Sequence, residues 1–164
     1  MTLKPITILS GDMPECIALN VIPEKKEPEY IWTNAYMLGL QHWYTQTNQQ
    51  PMACRAVYVN NQMIGLVTYN YFVNNPMHNE PHYRIRPVMI DKDHAGKGLE
   101  AQALGLLLDE IRTKPFGEAQ AVFATYYPAE TDMAALYRDA GFVVTDPGED
   151  TSDNTPIHTR LALE

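Results

Sequence analysis

Between Asp91 and Ala101 the sequence carries its most pointed chemical pattern, Asp91-Lys92-Asp93-His94-Ala95-Gly96-Lys97-Gly98-Leu99-Glu100-Ala101. Glycines between an extended segment and a helical pattern remove side chains, so backbone N–H groups at the helix N-terminus can face a phosphate. Lys97 adds a positive charge at the rim. A Walker loop requires Ser or Thr after Gly-Lys, but Gly98 and Leu99 follow here, so the magnesium-binding hydroxyl is missing. A dinucleotide fingerprint is the closer rival, because Gly96 to Ala101 satisfies G-x-G-x-x-A and Glu118 lies about 20 residues on, where a ribose-binding acid belongs. Against that rival, Asp91 to Ala95 separate the extended segment from Gly96, hairpins precede the loop, and 66 residues follow Gly98, too few for the remainder of a six-stranded doubly wound sheet. His78, His82 and His94 have no companion pattern of metal ligands, so no metal is expected. The two cysteines, Cys16 and Cys54, make neither a disulfide scaffold nor a four-thiolate site.

The elements that must position this loop are legible in the periodicities. Ile6–Leu9 reads as a short strand, followed by a turn at Ser10-Gly11-Asp12 that caps a helix over 13–19. Glu24-Lys25-Lys26-Glu27, bracketed by Pro23 and Pro28, reads as a loop or helix start, and apolar residues at helical spacing run from Glu29 to Tyr44. His42-Trp43-Tyr44 at that helix's end reads as packing. Ala53–Val59 and Met63–Phe72 are β-branched and aromatic, joined across Asn60-Asn61-Gln62 as a hairpin. Gly65 inside the second strand marks a bulge or a close approach by another backbone. A polar loop, Asn74–Pro81, leads to a third strand, His82–Asp91, in which Pro87 signals a bulge. Leu99–Arg112 is an apolar helix ended by Pro115. Ala119–Tyr127 is a buried strand, and Thr131–Ala140 is a helix closed by Gly141. Strands follow at Phe142–Val144 and Pro156–Leu163, with an acidic loop, expected to be mobile, over 146–155. The result is an α+β fold with a mixed sheet, antiparallel at first, and one strand–helix–strand crossover in its second half.

Bulk properties narrow the function further. At 164 residues with 45% hydrophobic content the chain makes one domain, 1–164, with a real core. Its net charge of −8 argues against nucleic acid, and twelve of the twenty acidic residues lie in 96–164. No apolar run reaches the roughly 20 residues of a membrane span, and the N-terminal residues lack a signal peptide's apolar core, so a cytoplasmic location with no membrane partner is expected.

Two motifs together resemble the GNAT superfamily of acetyl-CoA-dependent N-acetyltransferases. One is the pyrophosphate loop Arg/Gln-x-x-Gly-x-Gly/Ala, met by Asp93-His94-Ala95-Gly96-Lys97-Gly98. The other is the later helix ending Leu-Tyr-x-x-x-Gly-Phe, met by Leu136-Tyr137-Arg138-Asp139-Ala140-Gly141-Phe142. The resemblance implies a GNAT-type mixed sheet, splayed at its centre and flanked by helices. It implies that acetyl-CoA is the co-substrate, with pyrophosphate held by His94, Ala95, Gly96, Lys97, Gly98, Leu99 and Glu100 and pantetheine by the backbone of Met89 and Ile90. Tyr137 stands at the family's general-acid position, and Glu130 stands where an Asn commonly touches the cofactor. The copy departs from the pattern at Asp93, where Arg or Gln is usual, and at Glu100, an acid in the first helical turn that competes with a bound phosphate.

Amine acetylation needs a free-base nucleophile, and an alkylammonium of pKa ~10.4 is overwhelmingly protonated at pH 7. Glu80 and His82, near the start of the third strand, are the candidates for taking that proton. A narrower likeness, in Ile64–Tyr69 and Tyr83–Asp91, is to the bacterial spermine/spermidine acetyltransferase branch. It points to a small cationic amine acceptor, a polyamine, by direct transfer in a ternary complex. Glu24, Glu27, Glu29 and Glu80 would hold the distal ammonium, with Tyr69, Tyr71, Tyr83 and Tyr126 as cation–π partners. Alternatives are an amino acid, aminoglycoside or peptide amine as acceptor, or a non-catalytic acyl-CoA sensor. Edge strands near the C-terminus leave room for a homodimer.

Overall fold

A computed structural model of the protein describes residues 1–21, 33–47, 50–73, 80–86, 88–146 and 155–163. The elements in chain order are β1 (Thr2–Pro5), α1 (Met13–Ala18), α2 (Asn34–Thr47), β2 (Met52–Val59), β3 (Gln62–Phe72) and β4 (His82–Ile85). They continue with β5 (Met89–Ile90), α3 (Leu99–Arg112), β6 (Ala121–Tyr126), α4 (Thr131–Asp139), β7 (Val143–Asp146) and β8 (Ile157–Ala162). Eight strands form one sheet in the order β1-β2-β3-β4-β6-β8-β7, with β5 paired to β3 beyond the end of β4. Every pairing is antiparallel except that of β4 with β6, which are joined through α3 by the expected crossover.

Local chemistry accounts for the element ends. Asn60 and Asn61 take φ of 50° and 64°, the two left-handed positions of a tight hairpin turn whose twist matches β2 and β3. In α3, Ala103, Leu104, Leu107, Leu108 and Ile111 form a buried stripe at i, i+3 and i+4 spacing, and Lys114 ends the turn at φ 54° just before Pro115. Helix α4 closes with Phe142 N–H donating to Tyr137 O (3.0 Å) and Gly141 N–H to Arg138 O (2.9 Å), the paired bonds of a Schellman cap with Gly141 at φ 92°.

The alternation of β3 sends Val67, Tyr69 and Tyr71 to a core shared with α3 and α4, and Leu66 to a second core under α1 and α2. Across the first core, Arg55 of β2 donates to Glu110 of α3 through Nε at 2.9 Å, and the Tyr69 hydroxyl donates to the same carboxylate. This ties the C-terminal end of α3 to the sheet, so its N-terminal end is carried rigidly.

Some expectations shift. The first strand is Thr2–Pro5, not Ile6–Leu9. Ile6 still donates to Cys54 O (3.2 Å), but Thr7 N–H turns to the Ser10 hydroxyl (2.9 Å) and ends the pairing. The third antiparallel strand is split into β4 and β5. The charged Glu24–Glu27 stretch, the loop residues 74–79, Pro87 and residues 147–154 lie outside the described residues. No helix among the described residues is long and apolar enough to cross a membrane.

Candidate active site

The sheet opens at its centre. Parallel β4 and β6 pair at His82 with Ala121, Tyr83 with Val122 and Arg84 with Phe123, and the ladder stops there. Past that point β5 pairs with β3, and Ala124, Thr125 and Tyr126 pair with β8, so among the described residues the two strands no longer bond each other. A one-residue bulge prepares the divergence. Tyr69 faces Ile85 and Leu66 faces Met89, so three steps on β3 match four on the other strand. Pro87, where the bulge was expected, lies outside the described residues; the register of its neighbours carries one extra residue.

The phase of the β3–β5 ladder decides which backbone groups reach the opening. Asp91 N–H donates to Ile64 O at 2.7 Å, which makes Met89 and Leu66 the next hydrogen-bonded pair and Ile90 with Gly65 the non-bonded pair between them. The amide and carbonyl of Ile90 consequently point away from β3, toward the β6 side. Those of Met89, expected to share this task, are taken up by Leu66. Gly65 is required here: a Cβ on it would lie 2.4 Å from Met89 O and 2.7 Å from Ile90 Cδ1. Both readings of Gly65 hold, because the β2–β3 register also slips beside it, between Val57 and Tyr58.

The glycine loop leads from β5 to α3. Its start is fastened by Asp91, whose carboxylate accepts from Asn20 N–H (2.8 Å) and Asp93 N–H (3.0 Å). Gly96 and Gly98 take φ of 71° and 72°, conformations that favour glycine, and a Cβ on either would meet nothing within 4 Å. The loop surface is thus open. Gly98 caps α3 without a side-chain bond, leaving the first-turn amides without intrahelical acceptors. Glu100 folds back so that its Oε1 accepts from Gly96 N–H at 3.0 Å. Lys97 donates to Asp93 O at 2.6 Å, turned along the loop. His94 N–H donates to Asp91 O, and Ala95 N–H does the same.

Tyr137 of α4 sits on the α3–α4 side of the opening, 1% exposed, its ring 6.3 Å from that of Tyr126 on the diverging part of β6. Among the described residues its hydroxyl has no hydrogen-bond partner, a costly condition for a buried phenol unless something docks against it. Burial first, then the nearby Glu130 charge, pushes its pKa well above the usual phenol range, so it keeps its proton at all ordinary pH. Glu130 itself closes a local turn, accepting from Tyr127 N–H at 2.7 Å. That bond engages one carboxylate oxygen in the turn ahead of α4.

The expected bases are placed elsewhere. Glu80 accepts from Arg160 at 3.2 Å. His82 is fully buried, stacked on Phe72 (5.2 Å) and edge-on to Phe123 (5.0 Å), with Nδ1 2.8 Å from Glu80 O. Burial lowers its pKa and keeps the imidazole neutral. Its ring lies where β4 and β6 are still bonded, whereas Tyr126 and Tyr137 flank the open part, so the structure does not bring His82 and Tyr137 together. Tyr69, Tyr71 and Tyr83 are buried, with their hydroxyls on Glu110, Glu118 O and Gly117 O, and Arg55 of β2 already lies over the Tyr69 ring at 5.9 Å. Glu24, Glu27 and Glu29 lie outside the described residues.

Two residues escaped the sequence reading. Arg84 on β4 and Arg86 just past its end alternate and so share the α2-facing side of the sheet, at the base of the opening. Burial, then the neighbouring Arg86, holds the Arg84 guanidinium below its usual range, and Tyr44, read as packing, lies within electrostatic reach of both. The signal was present as Arg-x-Arg in a strand. Cys16 and Cys54 are both buried, with thiols pushed up to about 12, chiefly by burial. No group of His, Cys, Asp and Glu among the described residues is placed to hold a metal ion.

The geometry has counterparts among known proteins. Similar solved structures include a ribosomal-protein-alanine N-acetyltransferase from Brucella melitensis (TM-score 0.71, 14% identity, 99% of this chain and 100% of that one). Another is the NatC complex bound to Gag peptide and CoA (TM-score 0.65, 13% identity, 99% and 98%). A third is a mutant form of the spermidine/spermine N-acetyltransferase SpeG from Vibrio cholerae (TM-score 0.64, 17% identity, 98% and 93%). At these identities the likeness is one of fold. No curated protein sequence matches. Residues 19–142, well over half of the chain, match the family described as the acetyltransferase (GNAT) family, and the protein is therefore a member of the GNAT N-acetyltransferases.

Proposed function

We propose that the protein transfers the acetyl group of acetyl-CoA directly to the amine of a small molecule at the opening between β5 and β6. The observation that carries this is the coincidence, at one place, of a strand edge with unspent backbone groups at Ile90 and a buried, unpartnered phenol at Tyr137. The site fits acetyl-CoA on these grounds: a buried hydroxyl with no partner among the described residues, an open glycine loop and uncapped first-turn amides. Acetyl-CoA supplies the activated thioester.

The chain's own residues do the rest. Amides of Gly98, Leu99 and Glu100 at the start of α3 face the pyrophosphate, and Ile90 orients the pantetheine arm through its backbone. Tyr137, protonated throughout the working range, gives its proton to the sulfur as the C–S bond breaks and the N–C bond forms. The phenol recovers a proton from the nitrogen. Removal of the first proton from the ammonium falls to solvent, since Glu80 is paired and His82 lies on the closed side. Direct transfer is supported by the two thiols, whose burial and raised pKa leave no thiolate to carry an acyl group.

The test is thiol release from acetyl-CoA with a panel of amines, spermidine and spermine included, beside a no-acceptor control. Saturable acceptor-dependent release supports the reading. CoA binding with no release for any amine would favour the sensor. A polyamine acceptor is the second reading, favoured by the net charge of −8, and spermidine in the panel decides it. The outer strand β7, with Val143 62% and Val144 51% exposed, is the edge on which a homodimer would form. Sedimentation across a concentration series tests that assembly.

A further inference from the structure

Among the described residues, the α2-facing side of the sheet beside the opening carries guanidinium groups, whereas the molecule as a whole is acidic. On the α2-facing side of β3 and β4, Asn70 sits directly opposite Arg84, and Arg86 N–H donates to Thr68 O at 3.0 Å, so Thr68 is opposite Arg86. Neither β3, β4 nor β6 contains an acidic residue. Glu80, just ahead of β4, is taken by Arg160 of β8. Among the described residues Arg84 makes no ion pair, and both ends of the fully buried Asn70 side chain and the Thr68 hydroxyl lack a hydrogen-bond partner. On the sheet-facing side of α2 the Gln41 Oε1 is likewise unpartnered.

Desolvating a guanidinium without a carboxylate, beside a second guanidinium, is unfavourable in the free protein. An oxyanion at Arg84 removes that cost, since the planar fork matches a carboxylate with two parallel charge-assisted bonds, and the unspent amide and hydroxyl groups supply further donors. A polycation in the same place would meet the Arg84 guanidinium. The location also fits. Arg84 is the last β4 residue paired to β6, so a group held there stands at the base of the fork across which an amine must reach toward Tyr137.

We propose that the acceptor is an amine whose own skeleton carries a carboxylate, and that Arg84 binds that carboxylate on the α2-facing side of the sheet. The inference rests on the acetyltransferase reading for where the amine reacts, but the anion site is testable without turnover. Matched pairs that differ by one carboxylate are titrated calorimetrically into the CoA-saturated protein: lysine against cadaverine, and tyrosine against tyramine. Phosphoethanolamine against ethanolamine separates phosphate from carboxylate recognition.

The carboxylated member of at least one pair should bind about tenfold tighter or more, the usual worth of a charge-assisted pair. Arg84→Gln should bring the ratio to about one with CoA affinity unchanged, which excludes simple misfolding. Arg84→Lys, which keeps the charge and loses the fork, should lie between. Tighter binding of cadaverine and tyramine, no preference in any pair, or preference only in the phosphate pair overturns the proposal. So does a preference that survives Arg84→Gln. A carboxylate preference without thiol release for any member would sink the transfer reading and leave the anion site standing.

Discussion

A carboxylate folded onto the Gly96 amide competes with any anion for that amide. Glu100 places its oxygen 3.0 Å from Gly96 N–H, at the end of a helix whose dipole also favours a negative group. Glu100→Gln should therefore lower the CoA dissociation constant, by roughly two- to fivefold from the usual size of such helix-end charge effects. Isothermal titration at low salt measures it, and unchanged or weaker binding would show that the carboxylate is no competitor. His82 gives a second residue-scale prediction. Its folded pKa is lowered from 6.5 by burial, so as pH falls below 6.5 the unfolded chain takes up a proton that the folded one refuses. Stability should thus fall from about pH 6.5 downward, and His82→Phe should flatten that part of the curve of denaturant midpoint against pH. An equally steep slope in the variant would assign the acid loss to other groups. At this scale the sequence announced Tyr137 and the conflict at Glu100 through motif positions. It concealed that Met89 and Ile90 differ, because that depends on the hydrogen-bonding phase of the ladder. It also concealed that Glu80 is claimed by Arg160, 80 residues away.

The splayed strands depend on one close approach. With Met89 O 2.4 Å from where a Cβ would be, Gly65→Ala must push β5 off β3 or strain β3 itself. We expect a loss of about 1–3 kcal/mol in stability, the usual range for overpacking, from denaturant unfolding. The KM for acetyl-CoA should rise more than the kcat falls, since Ile90 moves with β5. A variant of native stability and unaltered KM would remove Gly65 from the account. Helices α3 and α4 were legible almost residue for residue, Leu99–Arg112 from an apolar stripe and a following Pro-Phe-Gly and α4 from its glycine cap. The helix read over Glu29–Tyr44, by contrast, is described over Asn34–Thr47. The β2–β3 hairpin was legible through Asn60-Asn61. The first strand was misplaced because the apolar Ile6, a core residue, suggested a strand through Leu9, while a side-chain-bonded turn intervenes. That β8 lies between β6 and β7 was beyond reach, since strand order among neighbours is set by long-range packing rather than by local pattern.

For the whole molecule, net charge and local charge point to different acceptors. A chain of net charge −8 suggests cationic ligands, yet the α2-facing side of the sheet carries Arg84 and Arg86 with no acid on β3, β4 or β6. Bulk charge governs solubility and long-range steering, whereas a bound group responds to the charges within a few ångströms. What the two faces share is the opening itself, with Tyr137 on one side and Arg84 on the other. The central claim is that acetyl transfer occurs across this opening with the Tyr137 phenol as proton donor. The most direct measurement is acceptor-dependent thiol release by the native protein and by Tyr137→Phe, with acetyl-CoA affinity measured in parallel by calorimetry. The account predicts a drop in kcat of roughly 100-fold or more, the usual contribution of a positioned general acid, with acetyl-CoA affinity kept. Turnover by Tyr137→Phe equal to that of the native protein would contradict it.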